Sequence, residues 1–77
     1  MKLEDLIKET FHLNSGTEIF DTHGPGQLDG WDSLGHVNLI VALESTYNIS
    51  IGLDEVMGIE TVADIKTILE ANGVKYS

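Results

Sequence analysis

The sequence predicts an all-α fold, namely a small four-helix bundle with three longer helices and one short third helix. Three observations predict it. Apolar residues recur every three to four positions along three stretches, no stretch alternates apolar and polar residues as a strand does, and turn-forming residues separate the stretches. A chain of 77 residues holds one hydrophobic core, so we expect a single domain over residues 1–77.

The first helix is expected over residues 2–12, and Asn14-Ser15-Gly16 is expected to end it. Its apolar residues share one face: Leu3, Leu6, Ile7 and Phe11. A long connection over residues 17–30 follows, rich in turn formers but carrying apolar side chains. We expect four side chains in or next to this connection to pack onto the core: Ile19, Phe20, Leu28 and Trp31.

The second helix is expected over residues 33–47, and it is apolar on two faces. One face holds Leu39, Ile40, Leu43 and Tyr47, and the opposite face holds Leu34, Val37 and Val41. Because a single core covers only one of these faces, the second set indicates a surface for docking a partner. Scattered apolar surface residues are also common in monomeric proteins, and that interpretation stays open here.

The two remaining helices follow in quick succession. A short third helix is expected over residues 53–57, with acidic residues in its first turn and Gly58 as its stop. Thr61 and Asp64 match the Thr-x-x-Asp form of the capping box, so we expect the last helix to begin there. Asn72-Gly73 is the expected end of that helix.

Charge and composition exclude several classes of partner and location. Thirteen acidic residues against four lysines give a formal net charge of −9. Such a surface repels nucleic acid and anionic membranes, and it favours basic protein surfaces. The longest apolar run covers residues 39–43, too short for a membrane span, and the N-terminus lacks a signal-peptide pattern. We therefore expect a cytoplasmic protein without a membrane span.

The residues do not indicate an enzyme. Asp32, Ser33 and His36 lie on one helical turn, whereas a catalytic triad is assembled from separate elements. The Gly-x-Ser-x-Gly pattern of a nucleophile elbow also fails, because Trp31 occupies the position of its first glycine. We expect no catalytic residues.

Metal binding is not indicated either. The chain has no cysteine, so a thiolate metal site and a disulfide are both excluded. The three histidines lack the spacing that would place two of them on one helix face beside a carboxylate. We expect His12 and His23 to be solvated and His36 to be a packed, neutral histidine.

Asp32-Ser33-Leu34 opens the second helix, whose apolar run continues to Ala42-Leu43-Glu44. Asp32 and Ser33 are both suitable N-caps, and capping alone would explain a serine at this place. The unpaired N–H groups and the positive end of the dipole would also stabilise a phosphate on the Ser33 hydroxyl. Together with the helix order, length and acidity, this pattern resembles the acyl carrier proteins.

The resemblance implies a prosthetic group and a set of partners. Ser33, within Asp32-Ser33-Leu34, would carry 4′-phosphopantetheine, transferred from coenzyme A by a phosphopantetheinyl transferase. Acyl-transferring, ligase or synthase enzymes with basic patches would dock on the second and third helices. The matching contact positions are Leu34, Val37, Val41, Glu44, Asp54 and Glu55.

The resemblance also implies a function, with alternatives that the sequence leaves open. The chain would be a monomeric, non-catalytic carrier of acyl thioesters for fatty-acid, polyketide or other specialised acyl biosynthesis. Gly35, Asn38 and Ser45 stand at positions that are often acidic in carriers of primary fatty-acid synthesis, which favours a specialised pathway. An aminoacyl or peptidyl carrier, or an acidic helical adaptor that is never modified, remains the alternative.

Overall fold

The computed structural model describes residues 1–77 and consists of four helices without a strand. The helices are α1 (Leu3–Phe11), α2 (Ser33–Tyr47), α3 (Leu53–Gly58) and α4 (Val62–Ala71). The predicted helical bundle is therefore confirmed, with each helix within one or two residues of its expected bounds. None of the four helices combines the length and the apolar character that crossing a bilayer requires.

One hydrophobic core holds the three longer helices together. Each of these three helices contributes the face that its apolar spacing predicts, and buried side chains of the connections complete the core. The core side chains are Leu3, Leu6, Ile7, Phe11, Leu28, Trp31, Leu39, Ile40, Leu43, Ile51, Ile59, Val62, Ile65 and Leu69. No polar or charged side chain is buried, so the core incurs no desolvation penalty for such groups.

The connection between α1 and α2 packs onto the core mainly through its end. Trp31 is fully buried and stacks on Phe11 of α1 with ring centroids 5.9 Å apart. The prediction for Phe20 is wrong, because about half of its surface is exposed and its ring lies against the ring of His23. The Phe20 N–H donates to Nδ1 of His23 at 3.0 Å, and this small turn directs the Phe20 ring away from the core.

The same connection also completes the start of α4. The N–H groups of Val62 and Ala63 donate to the carbonyls of His23 and Asp21, at 2.8 and 3.1 Å. These are first-turn N–H groups that no intrahelical partner can satisfy. The His23 side chain is half-buried and its Nδ1 accepts the Phe20 N–H, so it is only partly solvated, contrary to the expectation. Its neighbour Gly24 lies so close to the Glu60 carbonyl that a Cβ would overlap the oxygen.

Helix ends follow local chemistry in most places. The capping box is confirmed, with the Asp64 N–H donating to Thr61 Oγ1 and the Thr61 N–H donating back to the Asp64 carboxylate. α1 ends earlier than expected, because His12 adopts the left-handed conformation with φ 57° and its N–H donates to the Glu9 carbonyl. Asn48 ends α2 in the same way, with φ 55°.

Candidate functional site

The structure at the start of α2 shows which of the two candidate N-caps, Asp32 or Ser33, caps the helix. Asp32 is the N-cap, and its Oδ1 accepts the Gly35 N–H at 2.7 Å. Ser33 is therefore the first residue of the helix, and its exposed side chain makes no hydrogen bond within the protein. Since Asp32 already serves as the cap, the Ser33 hydroxyl is not needed to satisfy a backbone N–H group of the first turn.

Two glycines bring the preceding loop against this turn of the helix. Gly30 has φ +87°, a conformation that L side chains rarely adopt. Its carbonyl lies so close to Gly35 that a Cβ on Gly35 would overlap the oxygen. From the sequence we note Gly35 only as a glycine at a position that is often acidic in the family. We do not predict that Gly35 packs against the loop. Glycine in the third position of a regular helix was the available signal, since it often marks close packing.

A groove of about 580 Å³ lies beside Ser33. One wall is the end of the loop and the first turn of α2, and the other wall is α3 and the residue that follows it. Its hydrophobic lining residues are Trp31, Val56, Met57 and Ile59. Ser33 and His36 lie one turn apart on α2, and both line this groove.

His36 connects the two walls of the groove. Its Nδ1 accepts the Trp31 indole N–H at 3.0 Å, and its Nε2 lies 3.0 Å from the Val56 carbonyl oxygen of α3. Because Nδ1 accepts a hydrogen bond, the ring proton resides on Nε2, which donates to Val56. The expected packed histidine is therefore confirmed, although the ring is only half-buried.

These bonds also decide what the polar cluster at Ser33 can do chemically. Both ring nitrogens of His36 have partners other than Ser33, and the Asp32 carboxylate is engaged by the Gly35 N–H. Neither group is arranged to activate the Ser33 hydroxyl in the way that a triad requires. No group of three or more potential metal ligands is present in the structure.

The second face of α2 is bare, as its two-sided pattern predicts. Leu34, Val37 and Val41 are all more than half exposed. α3 adds two large exposed side chains that the sequence analysis missed, namely Leu53 and Met57. Their spacing of four residues places them on one helix face and was the signal available. We call these five side chains the apolar strip.

The predicted acidic contacts differ in their surroundings. Asp54 is exposed and makes no hydrogen bond, whereas Glu55 Oε1 lies 3.4 Å from the Gly52 N–H at the start of α3. Glu44 is half-buried, and its Oε2 accepts the Ile51 N–H at 2.9 Å. Glu44 is thus not the free surface acid that the sequence indicates, because it closes the connection between α2 and α3. Its part in docking stays a prediction.

Comparison with known proteins identifies the family of this chain. The model of the family described as "Phosphopantetheine attachment site" matches residues 2–69. The solution NMR structure of a holo acyl carrier protein from Geobacter metallireducens is similar in fold, with a TM-score of 0.81 and 30% sequence identity. That match covers 90% of this chain and 78% of the other. No curated protein matches the chain significantly.

The residues present fit the prosthetic group of this family. An exposed serine hydroxyl at the first residue of α2, beside an open groove, offers both a nucleophile and room for an arm. Members of the family are carriers without catalytic activity of their own, and the group that they hold covalently is 4′-phosphopantetheine. With the family model covering most of its length and the fold of a holo carrier, this chain belongs to the phosphopantetheine-attachment family as an acyl carrier protein.

Proposed function

We propose that Ser33 is the attachment site of the 4′-phosphopantetheine arm and that residues 1–77 act as a single carrier domain. The observation that carries the proposal is that Asp32 and Ser33 have different roles at the start of α2. Asp32 caps the helix, so that the Ser33 hydroxyl is exposed and without a hydrogen-bond partner. A serine needed only as a cap would have its hydroxyl on a backbone N–H.

The electrostatics of this position suit a phosphodiester. The N–H groups of Ser33 and Leu34 donate no hydrogen bond within the protein, as is usual in the first turn of a helix. These free donors and the positive end of the helix dipole favour an anion at the Ser33 oxygen. Asp32 reduces this effect, but its Oδ1 is already engaged with the Gly35 N–H.

The attached arm supplies the thiol on which an acyl group is carried as a thioester. The chain itself contains no cysteine, so no protein thiol competes for the acyl group. The role of the protein is to hold the arm at an accessible place and to be recognised by enzymes. We therefore propose a carrier for fatty-acid, polyketide or specialised acyl biosynthesis that acts as a monomer in the cytoplasm.

The apolar strip is the proposed surface for partners. Leu34, Val37 and Val41 continue from Ser33 along α2, and burying them against an enzyme would contribute roughly 25 cal/mol per Å² before the costs of association. Asp54 and Glu55 are exposed in the first turn of α3, next in sequence to Leu53 of the strip, and suit a basic patch. Such charges act mainly on encounter rate and specificity. The partners would be a phosphopantetheinyl transferase and acyl-transferring, ligase or synthase enzymes.

The test is intact-mass measurement after incubation with coenzyme A and a phosphopantetheinyl transferase. We expect the mass of one phosphopantetheine to be added to the chain without substitutions and no added mass on the Ser33→Ala variant. Ser45→Ala is a matched control, because Ser45 is also an exposed serine on α2, and it should be loaded normally. A gain of mass that survives Ser33→Ala would refute the assignment. A chain that is never loaded would instead favour an unmodified adaptor.

A further inference from the structure

α3 is attached to the rest of the protein in an unusual way. None of its six residues is buried, and only Val56 is half-buried, whereas every other helix has at least three buried residues. An isolated helix of this length is not stable in water. The segment is therefore held by its flanks, by the half-buried Val56 and by specific hydrogen bonds.

The flanks supply one part of this attachment. Ile51 precedes α3 and Ile59 follows it, and both side chains are buried in the core. They hold the two ends of the segment near the core. Between these two residues, Val56 is the one α3 side chain that packs against the core, and it is only half-buried, so apolar contacts hold the helix weakly.

The second part of the attachment is the bond from His36 to the Val56 carbonyl, at 3.0 Å. On its other side His36 accepts the indole N–H of Trp31 at 3.0 Å, and the two rings are nearly parallel. Trp31 is fully buried and stacks on Phe11, so this side of the link is anchored in the core. A rigid core residue is thus connected through one imidazole ring to α3.

The direction of the two bonds requires a single form of the ring. Trp31 Nε1 can only donate, so Nδ1 of His36 must be unprotonated. The Val56 carbonyl can only accept, so Nε2 must carry the proton. The neutral Nε2–H tautomer makes both bonds, and neither nitrogen is left for a phosphate on Ser33.

We propose that Trp31, His36 and the Val56 carbonyl form a positioning relay that holds α3 against α2 and sets the width of the groove beside Ser33. His36 is a positioning residue in this relay, and it acts on the groove through its bond to α3. The relay also keeps Leu53 and Met57 of α3 in a constant arrangement relative to the exposed side chains of α2. A partner enzyme would then meet one surface around Ser33.

Three substitutions at His36 distinguish the contribution of its bond to Trp31 from that of its bond to Val56. His36→Gln places an N–H donor near the position of Nε2 and can reach Val56, whereas His36→Asn places an acceptor near Nδ1 and can reach only Trp31. His36→Ala removes both bonds. Amide hydrogen exchange of the full chain is the measurement, and unchanged exchange in α1 and α4 shows that each variant is folded.

We expect the amides of α3 to exchange about tenfold faster in His36→Ala and His36→Asn, and close to the original rate in His36→Gln. The Trp31 indole N–H should stay protected in His36→Asn and lose protection in His36→Ala. Nitrogen-15 shifts of the His36 ring in the unsubstituted chain should identify the Nε2–H tautomer. Equal α3 protection in all three variants, or the Nδ1–H tautomer, would overturn the relay.

A kinetic readout extends the test to the proposed site. Loading by a phosphopantetheinyl transferase should show a higher KM for His36→Ala and His36→Asn with kcat retained, and His36→Gln should restore KM. Faster exchange in α3 without any change in KM would refute the positioning role. This readout rests on attachment at Ser33. If the unsubstituted chain is not loaded, the proposed function fails, and hydrogen exchange still decides the relay.

Discussion

The two faces of α2 have the same chemistry and opposite surroundings. Leu39 and Leu43 are fully buried, whereas Leu34 is 70% and Val41 is 59% exposed. Hydrophobicity alone therefore does not decide which side of this helix enters the core. The position of the other helices decides it, because α1 packs on one face and nothing in the chain covers the other.

The bare face has a consequence for how the carrier is recognised. A small chain has enough apolar surface to build one core, and an exposed apolar face adds no stability. Large exposed apolar patches typically mark interaction sites. On α2 this face begins at Leu34, directly after Ser33. One face of α2 thus stabilises the fold, whereas the other stays exposed beside Ser33.

Truncating one leucine on each face gives the largest expected difference. Leu43→Ala removes a fully buried side chain from the core and should lower the free energy of unfolding by about 2–5 kcal/mol. Leu34→Ala is the matched change on the exposed face of the same helix, and it should alter the free energy of unfolding by less than about 0.5 kcal/mol. Urea unfolding followed by circular dichroism measures both. Equal destabilisation would contradict the comparison.

Gly35 tests the buried side of the first turn. Alanine is the better helix former by about 1 kcal/mol, but its Cβ would overlap the Gly30 carbonyl. We therefore expect Gly35→Ala to destabilise the protein by about 1–3 kcal/mol, as overpacking does. Gly58→Ala in α3 is the control, because a Cβ added there would meet no neighbouring atom within 4 Å. Thermal unfolding should show a loss for the first variant and no loss for the second.

Asp32 precedes both faces of α2 and contributes to stability by capping the helix. Asp32→Ala leaves the Gly35 N–H without its carboxylate partner and should cost about 1 kcal/mol. Asp29→Ala is the control, because Asp29 is an exposed acid whose side chain makes no hydrogen bond. The midpoint of denaturant unfolding separates the two variants. Identical midpoints would mean that the cap contributes no stability.

Val41 tests the bare face directly and should have the smallest effect on stability. Val41→Ser should change the free energy of unfolding by no more than about 0.5 kcal/mol. It should nevertheless slow loading by the transferase or turnover by an acyltransferase, because it removes apolar area from the strip. Thr46→Ser is the control for an exposed position of α2 outside the strip. Normal rates for Val41→Ser would remove this residue from the docking surface.

The sequence by itself determines where the helices lie and where they begin and end, because these features depend on residues close together in the chain. The helices follow from apolar spacing and caps that lie within a few residues of each other, as at Thr61 and Asp64. The same is true of Asp32-Ser33-Leu34, where the motif and the start of the helix coincide. Such signals are read correctly because their partners are neighbours in the chain.

Only the tertiary structure decides the contacts between distant segments. The bond from His36 to Val56 joins residues 20 positions apart, and no local pattern indicates it. The approach of Gly30 to Gly35 and the bond from the Ile51 N–H to the Glu44 carboxylate join residues that are closer in sequence, but they also depend on how the connections fold back. The physical reason is that these polar and close-packed contacts form only after the hydrophobic core has placed the segments side by side.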